Sequence, residues 1–218
     1  MSRKTLDIAL AGGGVLLAGL LVILGLVLAD QASFARSYVK DQLGEQKIVF
    51  ASTDKLTEEE KTWKPGSVCL TKYAGETMET GKGAECYANF FIKLHMENSA
   101  EKAGYAGETY ATLGGIQTQL RADIAAANQA GNTAAAADLQ KKLDSATSLR
   151  STLQTGETLR GLLLTSYGFS IFGEKAGLAA YVAFGAAGVL AVLSAAGFVH
   201  ALVTPADRRV FRTQATQS

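Results

Sequence analysis

The chain has 218 residues, of which 48% are hydrophobic and 19% are charged, and its formal net charge is +1. This overall charge averages over unlike parts of the chain and says nothing useful about nucleic acid, and no basic stripe interleaved with aromatic residues suggests a nucleic-acid-binding protein. The class of protein must therefore be read from the hydropathy pattern along the chain.

Two long apolar runs predict membrane-spanning helices. Residues 8–29 carry no charged side chain, and residues 176–203 carry a single ionisable group, His200. Each run exceeds the roughly 20 residues needed to cross a hydrocarbon core about 30 Å thick. Because backbone amides in lipid must find their partners within the segment, each run is expected to form a helix. A lipid bilayer is therefore the first predicted partner.

The first run has a competing interpretation as a secretory signal peptide. Val27-Leu28-Ala29 is an acceptable small-residue cleavage site. The apolar run is nevertheless longer than the roughly 7 to 15 residues of a signal-peptide core. Retention of the span is the prediction, and cleavage is the alternative.

Basic residues beside the two spans predict their orientation, since cytoplasmic flanks carry the excess of Lys and Arg. Arg3 and Lys4 precede the first span. Three arginines follow the second span: Arg208, Arg209 and Arg212. Residues 1–7 and 204–218 are therefore predicted to be cytoplasmic, and residues 30–175 to form an extracytoplasmic domain.

The extracytoplasmic segment is predicted to be mainly helical, which makes the fold class all-α. Thr57 and Glu60 fit a capping box at the start of a short helix. A stronger helix follows the glycines at 81–83 and is the best candidate for the buried centre of the domain. Its apolar residues recur at helical spacing: Tyr87, Phe90, Phe91 and Leu94.

Residues 109–155 are predicted to form an antiparallel helical hairpin. Apolar residues recur every three to four positions on both sides of a break at Gly131-Asn132-Thr133. A glycine past one helix and a capping residue before the next are typical of such a hairpin. Gly156 is expected to end the second helix, and residues 157–172 to form an interfacial helix whose aromatic rings lie at headgroup level.

The two cysteines, Cys69 and Cys86, are predicted to form a disulfide. Zinc sites need four ligands at closer paired spacing, and a redox Cys-x-x-Cys is absent. An extracytoplasmic compartment permits disulfides in a domain with a limited core, and a loop of this size is worth about 3 kcal/mol on the chain-entropy model. Two free buried thiols or a metal site are the alternatives.

The remaining polar candidates have structural interpretations. His95 and Glu97 are two residues apart on a predicted helix and do not share a face, so His95 is expected to be a partly exposed helix-end residue. His200 is expected to lie at the membrane interface. Arg160 with Glu157 is the polar cluster of most interest, although a helix-capping role is favoured for it.

Small residues on the two spans predict close packing between helices, since lipid supplies no hydrophobic force between them. The proposed packing residues are Ala179, Ala183, Ala187, Ala191 and Ala195 on the second span, and Gly14, Ala18 and Gly25 on the first. The two spans pack only on each other in one interpretation. In the other, one small-residue face docks a partner.

Two segments resemble a family of uncharacterised two-pass membrane proteins of actinobacteria: K-Y-A-G-E-T-M-E-T-G-K-G-A-E-C-Y-A-N-F-F-I-K-L-H and G-E-T-L-R-G-L-L-L-T-S-Y-G-F. The resemblance covers essentially the whole chain from about Phe34. It implies two-pass topology and a Gram-positive host, and it assigns no active residues. Some members carry the label of aromatic ring-opening dioxygenase, which implies a metal held by two histidines and a carboxylate. The only histidines, His95 and His200, are expected on opposite sides of the membrane, so that label is rejected.

No nucleophile and base are arranged in a recognisable motif, and no enzymatic activity, cofactor or metal is predicted. The chain is expected to be a non-catalytic accessory or scaffold protein of the membrane that contacts another membrane or envelope protein, with a homo-oligomer also allowed. The alternative is an extracytoplasmic ligand-sensing module. Its tail, residues 204–218, is too short for an output domain, so a sensor would need a separate partner.

Overall fold

The computed structural model describes residues 2–62 and 66–205. Across these ranges the chain is mainly helical, and an isolated antiparallel bridge joins Val49 and Thr77. The α-helices are α1 (Arg3–Glu45), α2 (Glu58–Thr62), α3 (Gly66–Lys72), α4 (Gly81–Cys86), α5 (Lys93–Lys102), α6 (Tyr110–Gln129) and α7 (Thr133–Val203). The predicted all-helical class is confirmed, while the arginines at 208, 209 and 212 lie outside the described residues.

The chain divides into two compact units. The first, called here the span unit, comprises Met1–Ser37 and Ile171–Ser218. The second, called here the head unit, comprises Tyr38–Ser170. Helices α1 and α7 each contribute residues to both units.

Helices α1 and α7 are both long and apolar enough to cross a membrane. Their most apolar windows have mean hydropathies of 2.5 and 2.2, and 17% of each window is buried. A core helix of a soluble protein would instead be mostly buried. Leu16 and Val192, for example, are 73% and 70% exposed. Exposed apolar surface of this extent marks a membrane or protein interaction site.

Within the span unit, α1 and α7 pack side by side in opposite directions through small residues. A Cβ built on Gly197 would lie 3.2 Å from that of Ala11, and one on Gly25 would lie 2.6 Å from the Phe184 ring. Further along, Gly173 meets Ala35 in the same way. Residues late in α1 therefore contact residues earlier in α7, as antiparallel packing requires.

Positions on the α1–α7 contact alternate by three and four residues, as expected for two long helices packed along a seam. The structure places Gly14, Ala18, Gly25, Ala183 and Ala187 in this contact. It leaves Ala179, Ala191 and Ala195 exposed. A strict four-residue spacing advances about 40° around a helix at each step, so the alanine stripe leaves the contact at both ends. Packing of these three alanines on a partner stays a prediction.

The head unit contains two apolar clusters. The first joins the end of α1 to α3, α4 and α7, and its buried members include Val39, Leu43, Phe50, Leu70, Met78, Cys86 and Leu163. The second joins α5 and α6 to α7, and its buried members include Met96, Ala100, Leu113, Leu120, Ala146, Leu149 and Leu153.

The predicted capping box at Thr57 is confirmed. The Glu60 amide donates to Thr57 Oγ1 at 3.1 Å, and the Thr57 amide donates to Glu60 Oε2 at 2.8 Å. Glu60 is only 3% exposed. Its carboxylate therefore satisfies the start of α2, as the capping interpretation requires.

The predicted break between α6 and α7 is also found. Gly131 has a φ of 71°, a left-handed conformation that suits glycine. Asn132 Oδ1 accepts a hydrogen bond from the Ala135 amide at 3.0 Å and so caps α7. On the facing turns, Gln117 Nε2 donates to Thr147 Oγ1 at 2.9 Å, and Arg150 Nε donates to the Tyr110 carbonyl at 3.0 Å.

The expectation that Gly156 ends a helix is wrong, because α7 continues through it. A Cβ at Gly156 would collide with Met96 Sδ, so the glycine admits a side chain of α5 and does not terminate α7. Residues 157–172 are accordingly a stretch of α7 and not a separate helix. Their position at a membrane interface stays a prediction.

The predicted disulfide is confirmed and joins α3 to the last residue of α4. The Cα atoms of Cys69 and Cys86 are 5.9 Å apart, and Cys86 is 2% exposed. The bridge is part of the first cluster, beside Leu70 and Ala88. It holds α3 against the centre of the head unit.

We expect the Cys69→Ala/Cys86→Ala variant to lose about 3 kcal/mol of unfolding free energy, because the unfolded chain regains the entropy of an open loop. Thermal unfolding of the full chain in mild detergent measures this. Reductant should lower the midpoint of the native chain and leave that of the variant unchanged. A variant as stable as the native chain would contradict the role assigned to the bridge.

Substitution Gly25→Leu should destabilise the α1–α7 contact by about 1–3 kcal/mol, because the new side chain meets the Phe184 ring. Gly19→Leu is the matched control, since nothing lies within 4 Å of a Cβ at Gly19. Thermal midpoints in nanodiscs compare the two. Equal midpoints would show that the contact is not formed in the membrane.

Candidate binding cleft in the head unit

A π-helical segment, Tyr87–Ile92, separates α4 from α5. The sequence predicts one regular helix here with an apolar face. The structure buries Leu94 and leaves Tyr87, Phe90 and Phe91 half-buried around a wider turn. Such a turn shifts the hydrogen-bond spacing by one residue and is often found at functional sites. It also leaves a backbone carbonyl in need of another donor.

Arg160 of α7 supplies that donor. Its Nε donates to the Ala88 carbonyl at 3.0 Å, and its Nη2 donates to Asn89 Oδ1 at 3.3 Å. Its Nη1 lies 2.8 Å from both carboxylate oxygens of Glu157. The Arg160 side chain is 18% exposed. The helix-capping role expected for Arg160 and Glu157 is wrong, because α7 has no end there and the guanidinium holds the π segment.

A partly open cleft of about 760 Å³ lies beside Arg160, between α5, the start of α6 and the middle of α7. Three buried apolar residues form its floor: Met96, Ala100 and Leu153. The volume is within the range of small-molecule sites, about 300–1,000 Å³. An apolar floor with convergent polar groups is the usual composition of such sites.

Charged residues surround the floor of the cleft. Lys93 Nζ lies 3.8 Å from Glu97 Oε1 on α5, and Arg160 pairs with Glu157 on α7. Glu108, just before the first turn of α6, is half-buried and has no ion pair within the described part of the chain. Nothing in the local sequence distinguishes Glu108 from an ordinary loop acid.

A shallower groove of about 730 Å³ lies on the other side of α5. His95 lines this groove, and Glu97 lines the cleft, so the two side chains lie on different sides of α5 as their spacing predicts. His95 is exposed, and its Nδ1 lies 2.9 Å from the Phe91 carbonyl. The groove's hydroxyls include Ser99 and Thr155, which donate to carbonyls of their own helices. The cleft is therefore the stronger candidate site.

His200 lies in the span unit, where its Nδ1 is 2.9 Å from Asp7 Oδ2 and so links the ends of α7 and α1. Among residues 2–62 and 66–205, no three or more His, Cys, Asp or Glu side chains are grouped to hold a metal ion. No family model, curated protein or solved structure matches the chain. Membership of the actinobacterial family stays a prediction.

Two groups of the head unit have raised pKa values. The hydrogen bond from Lys82 Nζ to Tyr167 Oη, 3.0 Å long, raises the pKa of Lys82 above its ordinary 10.5. Burial, with a contribution from the Glu60 charge, raises the pKa of Tyr87 above its ordinary 10.0. Both groups keep their protons to higher pH in the folded protein than in the unfolded chain.

The stability of the head unit should therefore decrease as pH rises above about 10, where the folded state binds more protons than the unfolded one. Thermal midpoints at pH 8 to 11 measure the decrease. Tyr87→Phe removes one of the two titrating groups. The thermal midpoint of this variant should therefore fall less steeply with pH. An unchanged slope in this variant would contradict the assigned cause.

We expect Arg160→Ala to cost about 2 kcal/mol, because it leaves the Ala88 carbonyl and the Glu157 carboxylate without their partner. Arg160→Lys should recover only part of this free energy. An ammonium lacks the planar fork of the guanidinium, which reaches both the Ala88 carbonyl and the Glu157 carboxylate. Lys141→Ala is the control: its ion pair with Asp138 has side chains 80% and 74% exposed, and such pairs contribute little. Amide hydrogen exchange at 88–93 should increase most in Arg160→Ala, less in Arg160→Lys and not at all in Lys141→Ala.

Proposed function

We propose that the protein is a non-catalytic integral membrane accessory or scaffold protein, associated with a larger membrane or envelope complex. The observation that carries the proposal is a patch of small residues on α7, called here the small-residue patch, formed by Gly188, Ala191 and Ala195. All three are exposed and lie outside the α1–α7 contact, and nothing lies within 4 Å of a Cβ at Gly188. Small residues let a further helix approach closely in lipid.

In this proposal both termini are cytoplasmic and the head unit is extracytoplasmic. The Cys69–Cys86 disulfide supports the placement of the head, because such bridges persist in oxidising compartments. Arg3 and Lys4 support a cytoplasmic N-terminus. The close fit of α1 against α7 supports retention of the first span, since its loss would uncover Gly173 and Gly197.

The proposal also includes an antiparallel hairpin over residues 109–155, through which the head would meet its partner. Two contacts between α6 and α7 support it: Gln117 with Thr147, and Tyr110 with Arg150. Tyr110 and Arg150 both lie farther along the chain from the turn at Gly131 than Gln117 and Thr147 do, as antiparallel packing requires.

The alternative is an extracytoplasmic ligand-sensing module without its own output domain. The cleft between α5, α6 and α7 favours this alternative, because it has the volume and the mixed lining of a ligand site.

Purification of the tagged full chain from native membranes in mild detergent tests the accessory role. We expect a stoichiometric partner with the native chain and loss of that partner with Ala191→Leu, which fills the small-residue patch. Ala186→Leu is the matched control, since Ala186 is an exposed alanine on a different side of α7. Repeated recovery of the bare chain, or equal loss in both variants, would contradict the proposal.

A further inference from the structure

The floor of the cleft is suited to an aliphatic chain. Met96, Ala100 and Leu153 are 7%, 2% and 5% exposed, line the cleft and have apolar side chains. Met96 also packs on Gly156, so its thioether lies between α5 and α7. A methionine side chain adapts readily to ligands of different shape.

The rim of the cleft has an excess of negative charge. Three carboxylates, Glu97, Glu108 and Glu157, and two cations, Lys93 and Arg160, line it. Each cation already lies beside a carboxylate of its own helix, so the charge of Glu108 is the one left uncompensated. A charge in a partly enclosed site interacts more strongly with a ligand than one in open water.

The start of α6 does not make the cleft more suitable for an anion than for a cation. The Thr112 amide donates to Thr109 Oγ1 at 3.3 Å, and the Thr109 amide donates to Thr112 Oγ1 at 2.8 Å. These two amides are therefore occupied by the capping box. An anion entering here would also meet Glu108, Glu97 and Glu157.

We propose that the cleft binds an aliphatic ammonium group. The ammonium lies at Glu108, and its methylene stem lies on the floor formed by Met96 and Leu153. Free diamines and lysine side chains share this chemistry. The inference rests on the ligand-sensing alternative and involves neither the small-residue patch nor its partner.

Thermal unfolding of the full chain in phosphatidylcholine nanodiscs tests the site with three five-carbon probes: 1,5-diaminopentane, 1,5-pentanediol and glutarate. Diaminopentane should raise the midpoint saturably by about 2–5 °C at concentrations well above its Kd, and the other two should not. Sodium chloride at matched ionic strength controls for screening. No saturable rise, or an equal rise with glutarate or salt, would overturn the proposal.

Isothermal titration with Glu108→Gln separates the site from general attraction to carboxylates. The variant should bind diaminopentane about tenfold or more weakly, because it loses a charge-assisted hydrogen bond. Glu101→Gln is the matched control, since Glu101 is an exposed acid of α5 that does not line the cleft. Equal affinity in both variants would place the amine elsewhere and overturn the assignment. Unfolding without ligand verifies that both variants are folded.

A blocked Gly-Lys-Gly peptide distinguishes the two sources of the ammonium. Tighter binding of the peptide than of diaminopentane indicates a lysine of a partner protein, and the reverse order indicates a free amine. Binding of neither overturns the proposal. Because these measurements use the chain alone, their failure leaves the partner experiment with Ala191→Leu unaffected.

Discussion

Close approach to the backbone of α7 is the constraint on which the rest of the structure depends. This helix runs for 71 residues, and several of its closest contacts with other elements fall at glycines. In the head unit, Gly156 admits Met96. In the span unit, Gly173 admits Ala35 and Gly197 admits Ala11. In each unit, glycine in the helix costs only about 1 kcal/mol relative to alanine, and tertiary contacts offset that cost.

Covalent and polar contacts fix the start of one irregular turn at the centre of the head unit. Cys86 comes immediately before the π segment and is bridged to Cys69 of α3. Arg160 then binds the Ala88 carbonyl, two residues further along. The wider turn is stable because its freed carbonyl is satisfied, and because the disulfide limits the ways in which the preceding helix can slide. The same guanidinium borders the cleft, so the geometry of the cleft and the register of α5 have a common support.

The two proposals concern different surfaces of the molecule and different physical forces. The small-residue patch on α7 can bring in a partner only through close packing in lipid, where charge plays no part. In the proposal for the cleft, a ligand binds through an uncompensated carboxylate above an apolar floor, in a site that water can reach. A single chain can perform both roles, because the groups that carry one do not line the other.

The sequence by itself determined the helical class, the two apolar helices, the disulfide, the capping box at Thr57 and the break at Gly131. Each of these follows from composition or from a pattern within a few residues, where local hydrogen bonding or hydropathy decides the outcome. Only the tertiary structure decided that α7 passes unbroken through Gly156, that a π segment divides α4 from α5, and which alanines of α7 face α1. These features depend on contacts between distant residues: Arg160 and Ala88, for example, are 72 positions apart. Spacing along one helix cannot show which neighbour will fill the room beside a glycine, or which distant donor will satisfy a freed carbonyl.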